Sequence, residues 1–175
     1  MHRLSEHERR ATAYHEAGHV VVGIIFGRDP LSSTIQPDGK GQLGKTEFDE
    51  TPDFAKRGPD SWPDQRYRHY IRGRVVGQLA GTTAHDFNEP GRAHDEGDIR
   101  DENEAKQLIE DQVPDGLRRG YFEEAKKTTT DLLTRRWRAV EAVAQGLLEH
   151  TTLDRAALLD LCKPFNLRTN SEGLG

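Results

Sequence analysis

The chain has 175 residues, with 25 Lys and Arg against 30 Asp and Glu, a formal net charge of -5, 33% hydrophobic and 31% charged residues. That length gives one domain around one core, and the interspersed charges exclude the basic stripe of a nucleic-acid-binding surface. The longest apolar run, Val20–Phe26, is too short to span a bilayer, the first residues lack a signal-peptide pattern, and the lone cysteine, Cys162, permits no internal disulfide, so a soluble cytoplasmic protein without membrane or nucleic-acid partners is expected.

The first predicted element is a helix over residues 5–27. Ser5 is placed to cap it and Glu8, three positions on, completes a capping box. Ala13, Ala17, Val20, Val21, Ile24 and Ile25 recur at helical spacing, and Gly27 and Pro30 end the run. Residues 34–36 and 43–48 read as short strands around the turn-forming Pro37-Asp38-Gly39-Lys40-Gly41, giving a small hairpin or sheet edge. Residues 50–62, with Pro52, Gly58 and Pro59, read as loop.

A second helix is predicted over 62–84, with Tyr67, Ile71, Val75, Val76 and Leu79 on one side and the basic run 66–72 as its solvated face. A polar loop over 85–97 leads to a third helix over 99–113, which Pro114-Asp115-Gly116 breaks. A long helical region over 117–149 is expected, with a division near Thr128-Thr129-Thr130, then a short helix over 153–161. Residues 1–165 are expected to form the domain and 166–175 a polar tail. The fold class is therefore mainly α with a small β hairpin or sheet, an α+β domain.

The chemistry concentrates in His15-Glu16-Ala17-Gly18-His19. His15 and His19 lie one helical turn apart on one face, the separation that lets two imidazoles meet one metal ion. Glu16 is beside them and free to act as a base on a water activated by zinc. A solvated helix face could carry two histidines by accident. However, Val20-Val21-Val22-Gly23-Ile24-Ile25 follows directly, so this helix is buried, and buried imidazoles and carboxylates need partners that a metal supplies. A catalytic zinc takes a third protein ligand. Candidates lie in the stretch His94-Asp95-Glu96-Gly97-Asp98-Ile99-Arg100-Asp101, and spacing leaves the choice among them open.

Beyond these residues, the segment Ala13-Tyr14-His15-Glu16-Ala17-Gly18-His19-Val20-Val21-Val22-Gly23 resembles the signature of the peptidase domain of the FtsH family of AAA+ zinc proteases. Leu43-Gly44-Lys45-Thr46, Ala80-Gly81-Thr82-Thr83-Ala84-His85, Asp101-Glu102-Asn103-Glu104-Ala105-Lys106-Gln107-Leu108 and the residues from Trp137 to Asp154 extend the resemblance in order over most of the chain. It implies an FtsH-peptidase-like zincin helical fold, zinc held by His15, His19 and an aspartate, and Glu16 as general base. Asp101 is the preferred third ligand, because Gly97 falls on the family's glycine and Ala105, Leu108 and Ile109 fall on its small and apolar positions. Asp98 is the alternative, since Asp98-Ile99 mimics the family's pair, but it would turn Glu102 and Lys106 onto the packed face. His85, His94 and Asp95 are further candidates. His85 stands where the family has a supporting glutamate, a departure from the pattern, and reads equally as a solvent-exposed helix end or as a residue that hydrogen-bonds a ligand from behind.

The expected function is a zinc-dependent endopeptidase. The sequence carries no Walker A pattern, so the expectation is action on peptides or flexible protein substrates without its own ATPase, or with an ATPase supplied in trans. Two other readings are an inactive zinc-binding or protein-interaction module, and a regulatory peptidase with one specific protein substrate. The substrate and the oligomeric state are not encoded in any recognisable pattern.

Overall fold

The computed structural model describes residues 4–168. Helix α1 (Glu6–Ile25) begins at Ser5, whose hydroxyl accepts from the Glu8 amide while the Glu8 carboxylate accepts from the Ser5 amide, so the predicted capping box is present. Strand β1 (Pro30–Thr34) follows, then β2 (Lys45–Phe48), α2 (Gln65–Asn88), α3 (Glu96–Gln112), a single turn α4 (Asp115–Arg118), α5 (Tyr121–His150), β3 (Thr152–Asp154) and α6 (Arg155–Cys162). Helices dominate, with one small antiparallel sheet, as the sequence leads one to expect. No helix among the described residues is long and apolar enough to cross a membrane.

The sheet is ordered β2-β1-β3. The expected hairpin is its β1–β2 half, with Ser33 opposite Thr46. The third strand was expected as the start of the last helix. Asp154 instead caps α6 by accepting from the Ala157 amide, which leaves Thr152 and Leu153 free to pair with β1. The loop expected over 50–62 contains two 3-10 turns, Asp53–Arg57 and Pro59–Ser61.

α1 runs through the middle of the molecule, packed by α2, α5 and the sheet. Ala13, Ala17, Val20, Val21 and Val22 are fully buried, so the helix is covered on nearly every side. At Gly18 a Cβ would come within 2.4 Å of the Ala80 carbonyl oxygen and 2.8 Å of the Ala84 Cβ, so α1 and α2 approach here only because there is no side chain. Tyr14 stacks on Trp137 of α5 with centroids 5.5 Å apart, so α5 packs along one side of α1.

α2 continues past its expected end and carries His85 inside its last turn. α3 starts three residues earlier than expected, because Asp95 and Asp98 form a second capping box. The long C-terminal helical region breaks at Gly120, which has φ 78°, and kinks at Arg136. The Thr128–Thr130 run lies inside the continuous helix, where the buried Thr129 hydroxyl donates to the Ala125 carbonyl at 2.8 Å. Of the polar tail expected over 166–175, Leu167 is buried against the core, and residues 169–175 lie outside the described residues.

Candidate metal centre

Three helices meet at one point. α1 supplies His15 and His19 from consecutive turns, and α3 supplies Asp101 from its second turn. His15 Nε2 and His19 Nε2 are 3.1 Å apart. Asp101 Oδ2 is 2.9 Å from the first and 3.1 Å from the second. Ligands each about 2.0–2.1 Å from one zinc in a tetrahedral shell lie about 3.3 Å from one another, so the three donors form a slightly tight face of such a shell.

α2 provides the floor. The Gly77 carbonyl lies 2.8 Å from His19 Nδ1, so it accepts the proton there and leaves Nε2 as the lone-pair nitrogen. A Cβ on Gly81 would come within 2.5 Å of both Nε2 atoms, so the missing side chain leaves a cradle beneath them. Gln78 donates to Asp101 Oδ1 at 3.2 Å and aims the other carboxylate oxygen at the imidazoles. Two imidazoles and a carboxylate, converging on a space a methyl group would fill, are the donor set that suits zinc.

The electrostatics agree with the geometry. Burial alone would push the His15 imidazolium down. The Asp101 and Asp98 carboxylates beside it outweigh burial and raise it from 6.5 to about 10 in the metal-free chain. Burial works to raise Asp101, but His15 and His19 beside it hold it well below the usual carboxylate range. The site therefore holds positive charge strongly.

Glu16, on α1 beside His15, reaches the sheet. The Thr46 hydroxyl of β2 donates to its Oε2 at 2.7 Å. A Cβ on Gly44 would lie 2.7 Å from its Oε1, so the chain before β2 presses directly on the carboxylate. This end opens into a cleft of about 550 Å³ lined by Thr12, His15, Glu16, Leu43, Gly44 and Arg92 among others.

Asp98 does not join the trio. It lies on the other side of His15, with Oδ1 3.5 Å from His15 Nδ1, and it is fully buried. His85 is also buried and touches neither Nε2 atom. Its Nδ1 is 3.8 Å from the same Asp98 oxygen. His94 is exposed and lies 3.3 Å from Asp86, and Asp95 caps α3. Gly77, Gln78, Gly81, Thr46 and Arg92 belong to the site but were not singled out from sequence. Gln78, Thr46 and Arg92 act through side-chain contacts made by the fold, so they leave no local pattern. Gly77 and Gly81, unfavourable residues inside a predicted helix, did leave a readable signal.

No family model matches the chain. Among curated proteins it is similar to the ATP-dependent zinc metalloprotease FtsH 1 of Symbiobacterium thermophilum, 29% identical over 98% of this chain and 33% of the relative. It is also similar to the mitochondrial inner membrane m-AAA protease component YTA10 of Saccharomyces cerevisiae, 25% identical over 97% of this chain and 25% of the relative. A third relative is the ATP-dependent zinc metalloprotease FtsH of Lactiplantibacillus plantarum, 25% identical over 91% of this chain and 25% of that protein. The chain thus spans a quarter to a third of the length of these relatives.

Proposed function

Because the chain is related over nearly its whole length to FtsH-type zinc metalloproteases, we propose that it is a zinc-dependent endopeptidase with Glu16 as general base. The observation that carries this reading is the face of three donor atoms on His15, His19 and Asp101, none more than 3.1 Å from another, with Glu16 next to it in the chain.

His15 Nε2, His19 Nε2 and Asp101 Oδ2 would hold the zinc. Bound there, zinc supplies a water acidified towards neutral pH and an electrophile for the peptide carbonyl. The chain's own residues do the rest. The Gly77 carbonyl keeps His19 in the tautomer that offers Nε2. The Glu16 carboxylate accepts a proton from the attacking water as the new C–O bond forms. It returns that proton to the amide nitrogen as the C–N bond breaks, so atoms and charge balance. The Thr46 hydroxyl anchors one Glu16 oxygen and limits the rotations the carboxylate must lose in the transition state. An extended peptide would enter by the cleft between α1 and the segment before β2, where the free edge of β2 can add it as a strand. Substrates are flexible peptides or protein segments, cut without an ATPase in these 175 residues or presented by one supplied in trans.

The test is metal analysis of the purified chain, then peptide or casein cleavage by wild type and Glu16→Gln. One zinc per chain is expected, with cleavage falling 100-fold or more in the variant while zinc is retained. Absence of zinc, or an equally active variant, rejects the proposal. A second reading is a zinc-binding or protein-interaction module without turnover. It draws on His85, which stands where the resemblance places a glutamate, and it predicts one zinc with no cleavage by either protein.

A further inference from the structure

The buried cluster behind the metal face has its own logic. Asp98 is fully buried, and a desolvated carboxylate needs donors on both oxygens. Its Oδ2 has them: Arg92 Nη1 at 2.6 Å and the Asp95 amide at 2.9 Å. Its Oδ1 makes no hydrogen bond among the described residues. The groups that face Oδ1 are imidazole nitrogens, His15 Nδ1 at 3.5 Å and His85 Nδ1 at 3.8 Å. His15 turns its other nitrogen, Nε2, to Asp101 and His19.

A neutral imidazole carries one proton. If Nε2 is to offer a lone pair to zinc, the proton must sit on Nδ1, and the oxygen facing Nδ1 is Asp98 Oδ1. His19 solves the same problem with the Gly77 carbonyl at 2.8 Å. Among the described residues the group facing His15 Nδ1 is the Asp98 carboxylate, not a backbone carbonyl. We propose that Asp98 is a positioning residue that accepts a hydrogen bond from the Nδ1–H of His15, fixes its tautomer and ring orientation for zinc, and is itself held by Arg92.

This inference rests on the zinc-peptidase reading. It also separates two roles that sequence had left as rivals: Asp101 faces the metal side of His15, and Asp98 faces its back. His15 Nδ1, His85 Nδ1 and Asp98 Oδ1 also lie close enough to hold a second ion. The Arg92 guanidinium, 2.6 Å from Asp98, already supplies a positive charge there and opposes another.

The experiment measures zinc affinity by chelator competition in wild type, Asp98→Asn and Asp98→Ala. It also records the His15 ring-nitrogen signals of the zinc-loaded wild type by long-range proton–nitrogen NMR. Asp98→Asn keeps a side-chain oxygen for the Asp95 amide, so it guards against loss of the α3 cap in the alanine variant. The expected result is affinity 10- to 100-fold weaker in Asp98→Ala, with a smaller loss in Asp98→Asn. The NMR spectrum should show zinc on Nε2 of His15 and a hydrogen-bonded proton on Nδ1. This second measurement needs no variant to fold. Affinities within twofold of wild type, a His15 without an Nδ1 proton, or a second zinc lost on Asp98→Ala would each overturn the proposal. A wild type that binds no zinc would instead overturn the peptidase reading on which it rests.

Discussion

The Thr46 hydroxyl of β2 donates to Oε2 of Glu16 on α1 at 2.7 Å, so the small sheet reaches the residue proposed as the base. The β1–β2 register puts Thr46 opposite Ser33, and the two hydroxyls are 2.9 Å apart. The sheet thereby fixes the position of Thr46, and the Glu16 carboxylate, which can only accept, receives its hydrogen bond and leaves Ser33 to donate to Thr46. A hydrogen bond to a charged group is worth about 1.5–3 kcal/mol. Replacing Thr46 with Val keeps the shape and removes the donor. We expect kcat to fall roughly tenfold or more while zinc content stays at wild-type level. Steady-state kinetics on a peptide with parallel metal analysis checks this, and an unchanged kcat would remove Thr46 from the mechanism.

Gly81 and Gly18 make opposite predictions although both are helical glycines against close neighbours. A Cβ at Gly81 meets the ends of two imidazoles, His15 Nε2 and His19 Nε2, each at 2.5 Å. Those rings can rotate away in the metal-free chain, and Ala is about 1 kcal/mol better than Gly in a helix interior. Gly81→Ala should therefore melt within a few degrees of metal-free wild type but lose zinc affinity by 100-fold or more. A Cβ at Gly18 meets the Ala80 backbone, which cannot rotate away. Gly18→Ala should lower stability by about 1–3 kcal/mol through overpacking. Denaturant titrations with and without chelator separate the two. Retained zinc in Gly81→Ala would mean that the ion does not sit over this glycine.

Cys162 is 3% exposed, and burial pushes its thiol up from 9.0 to about 12. Thiolate is the reactive form, so the folded chain should react with a thiol reagent at pH 8 far more slowly than the denatured one, which should titrate one thiol. Fast labelling of the native protein would show that the α6 end opens readily.

Much of this was legible in the sequence, for definite reasons. Ser5 and Glu8 announce the start of α1, and the apolar spacing from Ala13 to Ile25 announces its burial, because both signals are local. His15 and His19 share that helix one turn apart, so their common face follows from helical geometry alone. Asp101 is 82 residues from His19, and only tertiary packing brings it there; the resemblance, not the spacing, picked it out. β3 was missed because three residues, Thr152–Asp154, carry too little pattern to compete with the helix signal that follows them. The Thr128–Thr130 run was read as a break because β-branched residues disfavour helix, yet Thr129 is buried against α2 and bonds its own helix, so packing overrides propensity. The role proposed for Asp98 was out of reach because it depends on which nitrogen of His15 faces which carboxylate.

The metal-free chain should lose stability at alkaline pH in a way that zinc removes. The folded-state value of His15 is raised from 6.5 to about 10, chiefly against burial and by the Asp101 and Asp98 carboxylates. A raised value means that the protonated imidazole stabilises the folded state. That contribution is fully present below about pH 6.5 and disappears as pH climbs towards 10. Asp101 is shifted the other way, below its ordinary 3.8, so its contribution is present above that value and is lost in stronger acid. With chelator present, this cluster should stabilise the fold most between about pH 4 and 6.5, and the melting temperature should fall from pH 6.5 to 9. Zinc must displace the His15 proton, so its stabilisation should grow over the same interval. Melting temperatures measured from pH 5 to 9 should fall above pH 6.5 with chelator, but with excess zinc should rise only until the unfolded imidazoles lose their protons near pH 6.5 and then stay level. The His15→Gln variant should flatten the chelator curve. Parallel curves with and without zinc, or a variant whose chelator curve keeps the wild-type slope, would show that protons and zinc do not compete at His15.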